Sequence, residues 1–382
     1  MTIPIPAEDP RHVPNRAVVD PSAITENTRA IAGTLAGHTA LMAVVKADGY
    51  GHGMLTAARA ALEGGATWLG VAHPASALAL SRAGLDVNIL TWLYEPETAK
   101  AVLPEALRAG VNVSVGSFEM VSLLSEAARQ ADRRARLHLK IDTGMGRNGV
   151  LPQDVRRIAA AIQEDDYLRV GAAWTHLTSA DDPADPATDA QVEIFDAACA
   201  DLAEEMGPVP LQHLANSAAT LTRPDLHRDI VRPGLALYGY APVPTDLELR
   251  PAMSLTSRLA LVKEVPEGQS VGYGRTHATS RATRLGLVPI GYADGLHRAA
   301  SGRAEVLVRT AEGDLRAPQV GRISMDQIVV DLGPDSAARA GDEVVLFGAG
   351  APSAEDWARA AGTIPYEVLT SVSGRVAREV LP

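Results

Sequence analysis

Ala43-Val44-Val45-Lys46-Ala47-Asp48-Gly49-Tyr50-Gly51-His52-Gly53 is an apolar, β-branched run that ends on one lysine and opens into a glycine-broken loop. A lysine at the end of a buried strand sits where desolvation opposes its charge, lowers its pKa and favours a neutral amine able to form a Schiff base. A strand-end lysine can equally snorkel to water with no chemical task. The surroundings of Lys46 decide between the two.

Working outward, strand-like runs recur at 41–46, 68–72, 88–92, 111–115, 137–142, 170–176, 211–215 and 230–238, each separated by a helix-like or alanine-rich amphipathic segment. Eight strands alternating with helices over about 200 residues are what a closed parallel (β/α)8 barrel requires, with its chemistry at the C-terminal ends of the strands. Lys46, His176 and Ser217 fall at such ends. Before the alternation, residues 16–20 read as a short strand and 21–35 as a helix.

Past Pro242-Val243-Pro244 the pattern turns β-rich, with glycine turns joining runs at 257–265, 284–292, 305–310, 327–331 and 343–347. One helix interrupts it at 353–361, where Ser353 and Asp356 make a capping box. The expected organisation is a loose leader over 1–15, an α/β TIM-like barrel over 16–245 and a mainly β C-terminal domain over 246–382.

Lysine plus arginine number 35 against 46 aspartate plus glutamate, a net charge of −11, which argues against a broad nucleic-acid footprint. No apolar run reaches the roughly 20 residues that span a bilayer. Residues 1–16 lack the apolar core of a signal peptide, so a cytoplasmic location is expected. The only cysteine, Cys199, reads as a small buried hydrophobe, and no cysteine-based metal site is possible.

A second strand-to-glycine-loop transition, Leu139-Lys140-Ile141-Asp142-Thr143-Gly144-Met145-Gly146-Arg147-Asn148-Gly149, presents Arg147 at the barrel mouth. A guanidinium there could clamp a carboxylate or phenolic oxygen, or form a rim salt bridge. Alternation with Leu139 and Ile141 aims Lys140 into the barrel, where an unpaired ammonium is costly. Asn216 and Ser217 open a helix whose N–H groups could bind a phosphate, or Asn216 is a plain N-cap. Arg232-Pro233-Gly234-Leu235 follows the start of the last barrel run, near the usual phosphate position of such barrels. In the second domain, Val271-Gly272-Tyr273-Gly274 and Gly291-Tyr292-Ala293-Asp294-Gly295 put tyrosines on turns, where packing explains them as well as chemistry does. Gly321-Arg322-Ile323-Ser324-Met325-Asp326-Gln327 is a polar cluster inside a strand-rich segment that reads as sheet edge or interface, and Ile364-Pro365-Tyr366-Glu367 supplies one more hydroxyl.

Five of these motifs, in order and across both domains, resemble alanine racemase: 43–53, 140–147, 216–218, 291–295 and 321–327. The resemblance runs from about Arg16 to the C-terminus. It implies pyridoxal 5′-phosphate, no metal, and a homodimer whose sites combine the barrel of one chain with the β domain of the other. By position, Lys46 resembles the cofactor-bearing lysine. Tyr50, Ser217, Tyr366 and the backbone at Gly234 and Leu235 match phosphate-binding positions, with Asn216 beside them. Arg232 matches the arginine at the pyridine nitrogen, and Arg147 the one near the phenolic oxygen and the substrate carboxylate. His176 matches a link from Arg232 to the catalytic tyrosine, Tyr273, which comes from the partner subunit. Met325 matches a backbone N–H for the substrate carboxylate, and Lys140 a lysine carbamylated in many members. Asp48, Gly49, Ser324 and His277 depart from common family residues, none at a proton-transfer position.

The resemblance therefore implies an isomerase that interconverts L- and D-alanine with two bases, Lys46 and Tyr273, and supplies D-alanine for peptidoglycan. Two rivals stand: a related racemase of broader or basic-residue specificity, and a non-catalytic pyridoxal-phosphate carrier. Arginine opposite the pyridine nitrogen speaks against decarboxylation, and a second base against a carrier.

Overall fold

A computed structural model describes residues 14–382, in two compact units. One unit comprises Ile24–Gly49 and Met54–Leu249. The other runs up to Ala23, takes Tyr50–Gly53, and resumes at Arg250–Pro382.

The first unit is a parallel eight-stranded sheet wrapped by helices. Its strand order is Gln212–His213, Leu168–Trp174, Ala135–Lys140, Asn112–Val115, Asn88–Thr91, Trp68–Val71, Ala40–Val44 and Ile230–Val231. The two edges meet through backbone bonds, Asp229 N–H to Gln212 O at 3.1 Å and Arg232 N–H to Ala215 O at 2.9 Å, so the barrel is nearly closed. Trp68–Val71 and Asn112–Val115 are buried at every position, as parallel strands covered on both faces must be. Outward residues such as Leu137, Leu139 and Val170 pack with Leu124, Ile158, Phe195 and Leu202 of the surrounding helices. Met42, Trp68, Leu90 and Ile230 fill the interior.

The helices start where the sequence supplies caps. Ser117 accepts from Met120 N–H to open Phe118–Ala131, which Asp132 ends in the left-handed region. Cys199 lies buried in the helix Ala187–Met206, and burial pushes its thiol up to about 12, as suits a packing residue.

The second unit is a nine-stranded sheet plus a two-stranded ribbon. Its order is Leu261–Val265, Thr283–Val288, Ile328–Asp331, Gly313–Val320, Glu305–Thr310, Glu343–Phe347, Met253–Arg258, Arg16–Val19 and Ala377–Val380. Arg16–Val19 therefore does not introduce the barrel. It is antiparallel to Met253–Arg258 and parallel to Ala377–Val380, a choice made by contacts more than 200 residues away in sequence. Of the expected loose leader, residues 1–13 lie outside the described residues. Asn15 is fixed, donating to Pro289 O at 2.9 Å and accepting from Ser257 Oγ at 2.7 Å.

Three further expectations change. The run at 257–265 is two strands, broken at Leu259-Ala260. The run at 230–238 is a two-residue strand followed by the 3-10 turn Leu235–Tyr238. Gly313–Val320 is a strand that the sequence hides, because it carries two charges and Pro318. The capping box forms as expected, with Ser353 Oγ accepting from Asp356 N–H and the Asp356 carboxylate accepting from Ser353 N–H. No helix among the described residues is long and apolar enough to cross a membrane.

Candidate active site

The strand Ala40–Val44 stops two residues before Lys46, and the chain then enters a left-handed turn: Ala47, Asp48, Gly49 and Tyr50 all have φ between 52° and 61°. Left-handed backbone costs roughly 1–2 kcal/mol per non-glycine residue, so the surroundings must hold it. Asp48 Oδ1 accepts from Met54 N–H at 2.8 Å, and Gly49 N–H donates to Val45 O at 3.0 Å. Lys46 itself has an exposed surface, but protein crowds its ammonium. Its pKa is lowered by burial first, then by the charges of Arg147 and Arg232.

Arg232 is buried and sits at the centre of the cluster. One guanidinium nitrogen donates to the carbonyls of Thr175 at 2.8 Å and Leu214 at 3.0 Å, and the other meets His213 Nδ1 at 3.0 Å. Arginine can only donate, so His213 Nδ1 accepts and its proton sits on Nε2. His213 Nε2–H then donates to His138 Nδ1, 2.9 Å away. One guanidinium thus fixes the tautomers of two buried histidines. Both are held neutral: burial, with Arg232 next, drives His213 well below the usual range, and burial, with Arg136 next, takes His138 to about 3. Burial also lowers Arg232 to about 9.

Trp174 binds the cluster together. Its ring stacks on His213 at 5.5 Å and lies under both the Arg232 guanidinium, at 5.0 Å, and Lys140 Nζ, at 4.6 Å. Lys140 points inward as its alternation requires and forms no ion pair among the described residues. Burial, then Arg147 and Arg232, bring its pKa down to about 8 from 10.5. The sign of the stability effect follows. Between about 8 and 10.5 the unfolded chain binds the proton and the folded chain does not, so stability rises with pH there and the cost of the ammonium is fully present below 8. In carbon-dioxide-free buffer, Lys140→Met should be more resistant to urea than the parent at pH 7. The gap should shrink towards pH 10, and a pH-independent gap would contradict it.

Arg147 stands exposed on its loop without an ion pair among the described residues, so the rim salt bridge does not form. The loop owes its shape to Asp142, whose Oδ1 accepts from Gly144 and Gly146 N–H, each at 3.0 Å. Gly149 is required there: with φ at 127°, a Cβ would lie 2.7 Å from Asp142 N. His176 lies close enough to Arg232, Arg147, Lys46 and Lys140 for their charges, after burial, to depress its pKa. Among the described residues the Arg232 donors go to His213 and two carbonyls, not to His176.

At the neighbouring rim, Ser217 Oγ accepts from Gly234 N–H at 2.8 Å, with Ala236 N–H at 3.5 Å. Asn216 spends its side chain as the N-cap, accepting from Ala219 N–H at 3.1 Å. Gln191 is a residue the sequence reading missed. It accepts from Thr178 N–H at 2.8 Å and Thr178 Oγ at 2.9 Å, and donates to Thr143 Oγ1 at 2.9 Å and His176 O at 3.1 Å. It ties the Arg147 loop to the His176 segment. His138 and His213 were also missed, although the alternation that aimed Lys140 inward aims His138 inward too.

In the second unit, Tyr50 and Tyr366 face each other with ring centroids 6.0 Å apart, and burial raises the Tyr50 pKa. Tyr273, on a 3-10 turn between Gly272 and Gly274, is 70% exposed, and Met325 is 53% exposed. Gly291 packs on the Met325 segment so closely that a Cβ would lie 2.3 Å from Met325 O.

Comparison with known proteins agrees over the whole described chain. Residues 19–242 match the family model for the alanine racemase N-terminal domain, and 252–380 that for the C-terminal domain. The alanine racemase of Thermobifida fusca is 47% identical over 371 residues, covering 95% of this chain and 96% of that protein. That of Mycobacterium tuberculosis is 45% identical, covering 95% and 94%. The crystal structure of alanine racemase from Streptomyces lavendulae superposes with a TM-score of 0.91 at 44% identity, covering 97% of each chain. That from Streptomyces coelicolor gives 0.90 at 46%, covering 96% and 98%. With both domains matched in order and relatives near half identical along their full length, this chain belongs to the alanine racemase family of isomerases.

Proposed function

We propose that this protein is a pyridoxal 5′-phosphate-dependent alanine racemase, a cytoplasmic homodimer that interconverts L- and D-alanine with two bases and supplies D-alanine for peptidoglycan. The observation that carries the reading is the buried Arg232, with no carboxylate partner among the described residues, beside Lys46, whose pKa is lowered by burial first and then by the charges of Arg147 and Arg232. Such a cationic set suits an anionic, electron-poor ring cofactor. Ser217 with the N–H groups of Gly234 and Ala236 offers polar atoms of the kind a phosphate needs.

In this reading Lys46 anchors the cofactor. Tyr50, Ser217, Tyr366 and the backbone at Gly234 and Leu235 hold its phosphate, and the backbone next to the capping Asn216 lies alongside. When bound, the cofactor supplies an electron sink for the charge left at Cα. Arg232 faces the ring nitrogen without delivering a proton to it. Arg147 and the Met325 N–H bind the substrate carboxylate. His176 sits near Arg232 and supports the second base.

Racemisation needs a proton taken from one face of Cα and returned to the other. Lys46 moves it on one face. Tyr273 of a second copy moves it on the opposite face, and its exposure in the single chain is what a donated residue requires. Lys140, largely deprotonated above pH 8, is suited to react with carbon dioxide, which would replace its charge with an anion able to steady Arg147.

A chiral product assay across alanine, serine, lysine and arginine, with α-proton exchange followed in D2O, tests the reading. Exchange and racemisation are expected with both alanine enantiomers. Turnover mainly of lysine or arginine would favour the basic-residue racemase, and no exchange with any substrate would favour the carrier.

A further inference from the structure

At the other end of the barrel, three arginines converge with no ion-paired acid among the described residues. On the strand Ala135–Lys140, period-two alternation puts Arg136, His138 and Lys140 on one face. His138 bonds His213 and Lys140 lies over Trp174, so that face is the barrel interior, and Arg136 is its exposed N-terminal member. The Cα partner of Arg136 on the adjacent parallel strand Leu168–Trp174 is Arg169, also exposed. Arg134 donates from Nε to Leu168 O at 3.1 Å, which anchors it next to Arg169. The three charges feel one another: partial burial first, then Arg136 and Arg134, lower the Arg169 pKa.

Like charges registered opposite each other on neighbouring strands oppose folding. Several other arginines of this unit are paired, Arg82 with Glu105, Arg129 with Asp165, Arg156 with Asp201 and Arg228 with Asp196, while Arg147 and Arg232, at the opposite mouth, form no ion pair among the described residues. Arg134, Arg136 and Arg169 form no ion pair with any carboxylate among the described residues, in a chain where acids outnumber bases 46 to 35. The reaction proposed above does not use them. It runs at the C-terminal mouth, roughly 13 Å along the strand, while the N-terminal face of a barrel ordinarily serves stability.

We propose that Arg134, Arg136 and Arg169 form a binding site for a small polyvalent phosphate-type anion at the N-terminal mouth of the barrel. Planar guanidinium forks pair two oxygens at a time, and three of them at the starts of two adjacent strands match a diphosphate better than a single phosphate. A long polyanion such as nucleic acid is disfavoured, since the net charge of −11 repels it beyond the mouth.

Calorimetric titration of the holoenzyme with inorganic pyrophosphate, and separately with inorganic phosphate, tests this. Pyrophosphate should bind one saturable site at least about tenfold more tightly than phosphate, and Arg136→Gln combined with Arg169→Gln should weaken it by about 100-fold or more. Without pyrophosphate the double variant should melt no lower than the parent, because a repulsion has been removed. Absence of saturable binding, binding that survives the double substitution, or preference for an oligonucleotide over pyrophosphate would overturn the site. So would a melting temperature several degrees lower in the anion-free variant, which would reveal protein partners for the arginines. These readouts are independent of racemisation, so the site stands or falls apart from the proposed activity.

Discussion

Lys46→Ala should leave no measurable α-proton exchange with either enantiomer of alanine, whereas Tyr273→Phe should silence exchange from one enantiomer and spare much of it from the other. The asymmetry comes from the two roles proposed for Lys46. Its loss removes the covalent anchor as well as one base, so both directions fail. Loss of the Tyr273 hydroxyl removes one base and leaves Lys46 to exchange the proton on its own face. Racemisation by Tyr273→Phe should then fall by about 10²–10⁴, the usual worth of one positioned acid or base, while one-sided exchange persists. Deuterium incorporation into each enantiomer, followed by NMR, separates the cases, and equal slowing from both sides would point to a single base. Mixing the two variants adds a second check. A hybrid dimer contains one site with Lys46 and Tyr273 both intact if they come from different chains, so activity should reappear on mixing. No recovery in demonstrated hybrids would place both residues of a site in one chain.

Arg232→Leu should destabilise the fold by about 3 kcal/mol, because it strips the donors from the Thr175 and Leu214 carbonyls and from His213 Nδ1. Each orphaned buried acceptor costs roughly 1–3 kcal/mol, and relief of the buried cation returns part of that. Arg232→Lys, which still donates to the carbonyls, should recover about half. Arg232→Glu should be the least stable, since a carboxylate would face three acceptors, and it should also raise side-reaction turnover relative to racemisation by offering the ring nitrogen a proton. Urea midpoints rank the three variants. A loss below about 1 kcal/mol for Arg232→Leu would show that water replaces the guanidinium, and an unchanged partition in Arg232→Glu would sink the account of the ring nitrogen.

Much of this was legible because strand-to-loop transitions carry local signals. The β-branched run before Lys46 and the glycines after Lys140 marked the strand ends. The Ser353 capping box was visible three residues apart. What escaped depends on distance along the chain. Nothing in Arg16–Val19 announces that its neighbours are Met253–Arg258 and Ala377–Val380, since any short half-buried strand reads alike. Gly313–Val320 was hidden because its pairing with Glu305–Thr310 overrides poor strand composition, including Pro318 opposite Glu305. Within the site, Lys46 stood out as a charge at a strand end and Arg147 as one on a glycine loop, whereas Arg232 gained a role only through the family resemblance. Gln191 did not stand out, because one glutamine on a helix acquires meaning only when two loops arrive above it. The Arg232, His213 and His138 chain required three strands, two of them separated by Leu168–Trp174, to be brought into one barrel before a donor could dictate two tautomers.

The path of the backbone bears on how such a protein can be inherited and rearranged. The β unit takes its first strand from residues 16–19, borrows Tyr50–Gly53 from the middle of the barrel segment, and completes itself only after Arg250. A single recombination near residue 245 would therefore leave one fragment with an unpartnered strand and the other with a gap between Met253–Arg258 and Ala377–Val380. The first and last strands, in contrast, lie side by side and run parallel, with Val19 opposite Val380. The two units are modules in space but not in the gene, and they would have to be acquired, lost or exchanged together.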